Sequence, residues 1–155
     1  MDDMQYQNIV AAVDGSKATM PVLNAAVESA LHNHAHLDIL TIEQVGEITD
    51  GYITSSTMSS DQTYSLIEAT KERMEDLKKH AQSMGLNDVS IHIRFGNPTQ
   101  VIAKDFPKDH NNDLIVIGTT GLSNVERFVL GSVTSYVNQN ARCDVLVVRI
   151  GSSKQ

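Results

Sequence analysis

Between Leu114 and Val137 the chain places glycines and hydroxyls at a spacing suited to holding a phosphate. The apolar run Leu114 to Ile117 ends at Gly118. Thr119, Thr120 and Gly121 follow, then nine residues, then Gly131-Ser132-Val133-Thr134 at the opening of a helical pattern. A buried strand that breaks at glycine and re-enters a helix through Gly-Ser offers an anion free N–H groups and the positive end of a helix dipole. Glycine keeps a Cβ out of the ligand's path, so a branched side chain at Gly118 or Gly131 is expected to block it. The amides of Ser132, Val133 and Thr134 are expected to face phosphate oxygens, with the hydroxyls of Ser132 and Thr134 as further donors. Neither a P-loop lysine nor the compact dinucleotide fingerprint is present.

The elements that must position these residues alternate along the chain. Ile9 to Val13 is an apolar run of strand length, broken at Asp14-Gly15-Ser16. From Ser16 the pattern turns helical, with Val22, Ala25, Ala26, Ser29 and Ala30 on one face and Pro21 in the opening turns. Leu37 to Ile42 reads as a second strand, and Gln44 to Gln62, poor in hydrophobics, as a loop. Thr63 to Met84 is an amphipathic helix with Gly85 as its stop. Val89 to Phe95 alternates apolar and polar residues like a half-exposed edge strand. Gly96-Asn97-Pro98 caps a helix carrying Val101, Ile102 and Phe106. Leu114 to Ile117, Ser132 to Ala141 and Val145 to Ile150 complete the series, before a polar tail from Gly151 to Gln155.

The order βαβαβαβαβ predicts one domain, residues 1–155, with a mostly parallel doubly wound sheet and helices on both faces. Near-continuous apolar first and fourth strands are expected at its centre. A ligand is then expected at the carboxyl ends of those two strands, where the winding reverses.

The spacing G-x2-G-x9-G-[ST], carried by Gly118, Gly121, Gly131 and Ser132, resembles the nucleotide-binding signature of the ATP-binding class of universal stress proteins. The resemblance implies a Rossmann-like open sheet of five parallel strands in the order 3-2-1-4-5. It implies a nucleotide site at Ala12, Val13, Asp14, Ile42, Gly118, Thr119, Gly121, Arg127, Gly131, Ser132, Val133 and Thr134. Ala12 and Ile42 would line the adenine slot, Ile42 with backbone polar groups as well. Ala12 is smaller than the residue this family often shows there, which widens the slot. Asp14 would lie near the adenosine end and the metal, as partner of a nucleotide-bound Mg; the structural alternative is that it caps the first helix. The implied role is a stress-response ATP binder that hydrolyses its ligand slowly or not at all. The alternative is a dimeric interaction module of the same fold with an unoccupied pocket. The family also dimerises through its fifth strand, here Val145 to Ile150, whose apolar edge would otherwise invite aggregation.

Charge bears on the partners. The chain carries a formal net charge of −7, which argues against nonspecific nucleic-acid or anionic-membrane binding. A triphosphate entering such a protein needs local cations: a divalent ion, Arg127 inside the nine-residue loop, or Lys17. No apolar run approaches membrane-spanning length, the N-terminus lacks a signal pattern, and the single Cys143 suits a reducing compartment, so a cytoplasmic location is expected. Cys143 opens an apolar strand and reads as a buried structural thiol. His32, His34 and His36 invite a metal reading, but they straddle a helix end and a strand start, with no cysteine or acidic cluster apparent nearby.

Other chemistries of this sheet class fail on missing residues. The synthetase His-x-Gly-His and pyrophosphatase Ser-Gly-Gly-x-Asp-Ser motifs are absent. A phosphorelay receiver needs an acidic pair after the first strand and an aspartate after the third, where this chain has a lone Asp14 and then Arg94-Phe95-Gly96. A flavodoxin-like phosphate loop rich in Ser and Thr is missing after the first strand. No poised general base is evident beyond Asp14, so at most a weak ATPase is expected.

Overall fold

The computed structural model describes residues 5–44, 48–49, 52–53, 59–119 and 130–150. The elements run β1 (Asn8–Ala12), α1 (Thr19–Asn33), β2 (His36–Glu43), β3 (Ile48–Thr49), β4 (Tyr52–Ile53), α2 (Ser60–Ser83), β5 (Val89–Phe95), α3 (Pro98–Gln100), a π-helical turn (Val101–Asp105), α4 (Phe106–His110), β6 (Leu114–Gly118), α5 (Ser132–Asn140) and β7 (Asp144–Val148). The main sheet has the order β5-β2-β1-β6-β7, and every pairing in it is parallel. Counted along the chain, that is the expected 3-2-1-4-5.

A parallel sheet covered on both faces makes its central strands apolar at every position. Ile9 and Ala11 of β1 pack with Val22, Leu23 and Ala26 of α1 and Met74 of α2. Val10, one residue along, joins Leu40, Ile102, Phe106, Ile115 and Val137 on the other face. The two-residue alternation of a strand thus divides one apolar run between two cores.

Several boundaries differ from the sequence pattern. The first helix begins at Thr19, not at Ser16, because the side chains of the intervening loop hold its amides in turns. The second long helix begins at Ser60, three residues before Thr63. Its start is a reciprocal capping box, in which Ser59 Oγ accepts from Gln62 N and Gln62 Oε1 accepts from Ser59 N. The segment read as a loop contains the short antiparallel pair β3–β4. The helix after β5 is interrupted by the π-helical turn just before Pro107. Pro107 has no N–H for Ala103 and its ring crowds that carbonyl, so the Phe106 N–H reaches back to Val101 O instead. The tail from Gly151 lies outside the described residues.

A buried polar centre sits on the β5 side of the sheet. Asp38 of β2 is only 3% exposed. Its Oδ1 accepts from His92 Nε2 at 2.8 Å and His36 Nε2 at 2.9 Å, and its Oδ2 from Asn112 Nδ2 at 3.1 Å. Burial pushes the Asp38 carboxyl up, but these hydrogen bonds outweigh it and bring the pKa down to about 2. His36 also bonds Asp88 through Nδ1 at 2.7 Å. Burial alone would lower His36, and the two carboxylates raise it above its ordinary value. The sequence reading found no acidic group near His36; Asp38 is two residues along the same strand and Asp88 arrives from the turn before β5.

Cys143, expected to be buried, is half-buried at the entrance to β7. Burial, followed by the negative charges of Asp113 and Asp144, pushes its thiol up from 9.0 to about 11. The native protein should therefore hold roughly 100-fold less thiolate at pH 8 than its urea-unfolded chain. Alkylation by iodoacetamide should be slower in the native protein by about that factor. Equal native and unfolded rates at pH 8 would contradict this environment.

Candidate functional site

β1 and β6 lie side by side, and their chains leave the sheet on opposite sides after Ala12 and Gly118. α1 packs on the first core with β1 and β6, while α5 packs on the second core against the π-helical turn. The divergence opens a cleft of about 610 Å³, a size that suits a small organic ligand. Its walls include Ala12, Val13, Asp14, Ile42, Gly118, Gly131, Ser132, Val133 and Thr134, nine of the residues expected from the sequence.

The loop after β1 keeps its amides to itself. Val13 N donates to Leu40 O, Gly15 N to Thr19 Oγ1, Ser16 N to Asp14 Oδ1 and Ala18 N to Ser16 Oγ. Asp14 therefore shapes this turn and does not cap α1, whose N-cap is Ala18 with no side-chain cap. With those donors spent, the loop offers an anion little.

α5 is the opposite case. Its N-cap is Gly131, without a side-chain cap, so among the described residues no side chain caps the first-turn amides of Ser132, Val133 and Thr134. Gly131 sits at φ −64° and ψ 164°, extended backbone that any residue adopts. The backbone does not require glycine there. Gly131 N is fixed by Thr119 O at 2.7 Å, while Thr119 N donates to Val148 O and Thr119 Oγ1 accepts from Ile150 N.

Three expectations need correction. Thr119 is consumed in that bracing and does not line the cleft. The Thr134 hydroxyl donates to Gly118 O at 2.6 Å and is buried, so it has no hydrogen left for a ligand. Gly118 lines the cleft, but a Cβ on it would stand 3.2 Å from Ala18 Cβ and Ile150 Cγ1 and 3.3 Å from Val22 Cγ2. The seating of α1 on β6 therefore favours glycine at this position whether or not a ligand is bound. Gly121 and Arg127 lie outside the described residues. Lys17 is exposed and takes no part in the cleft wall.

At the β2 end, the Leu40 carbonyl points at β1, where it takes the Val13 N–H. Carbonyls two residues apart on a strand point the same way. Ile42 therefore turns its N–H and C=O toward the side from which β1 has departed, and these edge groups face the cleft with its side chain. The sequence reading missed Glu43, which also lines the cleft and accepts from Thr70 Oγ1 at 2.5 Å, and Pro98 and Ile102 on the wall opposite. It also missed Arg73 of α2, whose guanidinium lies 3.6 Å from where a Cβ on Gly15 would be, next to Asp14. Only Glu43 carried a usable signal, as the residue following Ile42 at a strand's carboxyl end.

Residues 5–149 match the model of the universal stress protein family. The chain belongs to that family. A protein of Staphylococcus aureus (strain USA300) named as a universal stress protein is 39% identical over 150 residues, covering 93% of this chain and 84% of its own. Universal stress protein UspA from Lactobacillus plantarum superposes with a TM-score of 0.75 at 28% identity, over 95% of this chain and 100% of its own. Two further family structures share the fold at 24% identity. One, described in complex with cAMP, has a TM-score of 0.70 and covers 94% of this chain and 98% of its own. The other, from Archaeoglobus fulgidus in complex with dAMP, has a TM-score of 0.66 and covers 94% and 99%. Among the described residues no helix is long and apolar enough to cross a membrane.

Gly118→Val should behave as a packing mutant in this universal stress protein. Overfilling the α1–β6 contact is expected to cost about 1–3 kcal/mol in urea denaturation. A variant as stable as the parent would return Gly118 to a purely ligand-related role.

Proposed function

We propose that the cleft binds an adenine nucleotide, with ATP as the ligand, and that the protein acts as a nucleotide-responsive stress factor with little or no hydrolysis. The observation that carries this reading is Gly131: a glycine with ordinary dihedrals at the N-cap of α5, before amides that no side chain caps among the described residues. Phosphates against that turn meet backbone donors and the helix dipole. The edge groups of Ile42, with Ala12 and Leu40 as apolar walls, suit a flat base that both donates and accepts. Neighbours of this fold described with cAMP and dAMP support an adenine ligand.

Two carboxylates, Asp14 and Glu43, stand on the cleft wall. A polyphosphate beside them needs a counter-charge, so Asp14 is proposed to face a Mg ion carried by the nucleotide, with Arg73 near Gly15, and Arg127 on sequence grounds, as candidates for fixed cations. Among the described residues no histidine lines the wall, and its two carboxylates stand where a polyphosphate would need a counter-charge, a reading that goes with weak or absent ATPase.

Calorimetric titration with ATP tests the site. Gly131→Val should abolish binding while circular dichroism and the urea midpoint stay close to the parent's. Chelating divalent ions should weaken ATP more than AMP. Unchanged ATP affinity in Gly131→Val would remove the assignment, and equal weakening of both nucleotides would remove the metal from it.

We propose further that the chain dimerises through β7. β7 ends the sheet, so among the described residues one side of its backbone has no strand partner. Its Leu146 is 39% exposed, while Val147 packs toward the core. Pairing two copies of this edge would satisfy the free N–H and C=O groups and cover Leu146. Light scattering should give a dimer for the parent, and Leu146→Lys should shift it to monomer with the fold intact. A parent that scatters as a monomer at high concentration would overturn the interface.

A further inference from the structure

We propose that Asp38, His92 and His110 form a binding site for a late first-row divalent cation such as Zn²⁺, distinct from the nucleotide cleft. A carboxylate oxygen of Asp38 and one ring nitrogen from each histidine lie within 4.8 Å of one another. Ligands about 2 Å from a common metal stand about 3–4 Å apart, so the three atoms need close in only slightly to share an ion. Two imidazoles and a carboxylate are a donor set for zinc and its neighbours, whereas Mg²⁺ and Ca²⁺ prefer oxygen throughout.

Three elements converge to build the site. Asp38 lies on β2 and His92 on β5, one strand over, and His110 ends α4. The three rings of His92, Phe106 and His110 pack together: His92 meets Phe106 edge-on at 5.0 Å and His110 at 4.7 Å, and His110 stacks on Phe106 at 4.1 Å. The rings are therefore held in place before any ion arrives.

Outer groups orient the carboxylate as they do in metal sites. His36, braced by Asp88, and Asn112 both donate to Asp38. Asn112 also supplies a second, independent observation. Its Oδ1 is buried and has no hydrogen-bond partner among the described residues, while the residue as a whole is 7% exposed. Such an acceptor calls for a donor, and a water accompanying the ion would supply an O–H. Arg94 is the opposing charge, 3.4 Å from His110 Nε2, and Asp109 offsets it at 3.1 Å. On binding, the ion takes the place of the proton between His92 Nε2 and Asp38 Oδ1, and that proton leaves to solvent.

The site is separate from the cleft but not far from it. Asp38, His92 and His110 do not line the cleft, and Asp38 precedes Leu40, a cleft residue on β2, by two residues, about 7 Å of strand. Metal binding here therefore does not require nucleotide.

The test uses full-length, tag-free protein, stripped with chelator and titrated with ZnCl₂ by calorimetry without nucleotide. One ion per chain is expected, with affinity falling at least about tenfold in His92→Ala and in His110→Ala. A His32→Gln/His34→Gln double variant, altering exposed histidines outside the cluster, should bind like the parent. Cobalt substitution gives a second reading: visible d–d bands in the parent, lost in His110→Ala, which removes a partly exposed ring at a helix end and should leave the fold intact by circular dichroism. No saturable zinc binding by the parent would overturn the proposal. So would an unchanged affinity in folded His110→Ala, or binding that vanishes in the His32/His34 double variant.

Discussion

The arrangement depends on one constraint: β1 and β6 run parallel at the centre of a sheet that must be buried on both faces. Apolar strands of this kind cannot leave either face to water, so α1 and α2 cover one and the α3–α4 segment and α5 the other. The chains leaving β1 and β6 must then separate, and a cleft at their carboxyl ends follows from covering the core. Gly118 shows how tight the covering is, since even a methyl group there would meet α1 and the end of β7.

Around that cleft, the division of hydrogen bonds decides which wall can receive an anion. The loop after β1 closes on itself, with Asp14, Ser16 and Thr19 absorbing its amides. The turn into α5 does the reverse. Thr119 braces Gly131 from behind, and the Thr134 hydroxyl locks onto Gly118 O, so the helix start is rigid while its amides stay clear of side-chain caps. Rigid donors facing an open space lose little on binding, because they need not be reorganised. Hydroxyls that look like ligand donors in the sequence serve here as struts.

The second polar centre follows a different rule. A carboxylate buried as deeply as Asp38 is costly unless its oxygens are occupied. Here two imidazoles and an amide occupy them, drawn from β2, β5 and the turn before β6. The network ties the edge strand β5 to the centre of the sheet, where its side chains are otherwise half-exposed. Its polar groups lie on the same face as the Phe106 core, so the aromatic packing that closes the core also fixes the histidine rings.

By itself, the sequence determined the alternation of strands and helices and with it a mostly parallel, doubly wound sheet, because unbroken apolar strands alternating with amphipathic helices admit few other solutions; the five-stranded 3-2-1-4-5 order was implied by the family resemblance that the glycine motif carries. It also located the cleft and nine of its wall residues, since a ligand site at a winding reversal depends on topology and the glycine spacing is local. Helix starts were less legible: Ser59 with Gln62 is a readable capping box, yet α1 begins where loop hydrogen bonds end, which no local pattern reveals. Only the tertiary structure decided the rest. Whether Gly118 serves a ligand or a neighbouring helix depends on where α1 lies, and whether Thr134 donates to a phosphate or to a carbonyl depends on how β6 ends. Asp38, His92 and His110 are separated by 54 and 18 positions in the chain. Their meeting is a product of strand register and of a helix end folding back over the sheet, a relation that spacing along the sequence does not carry.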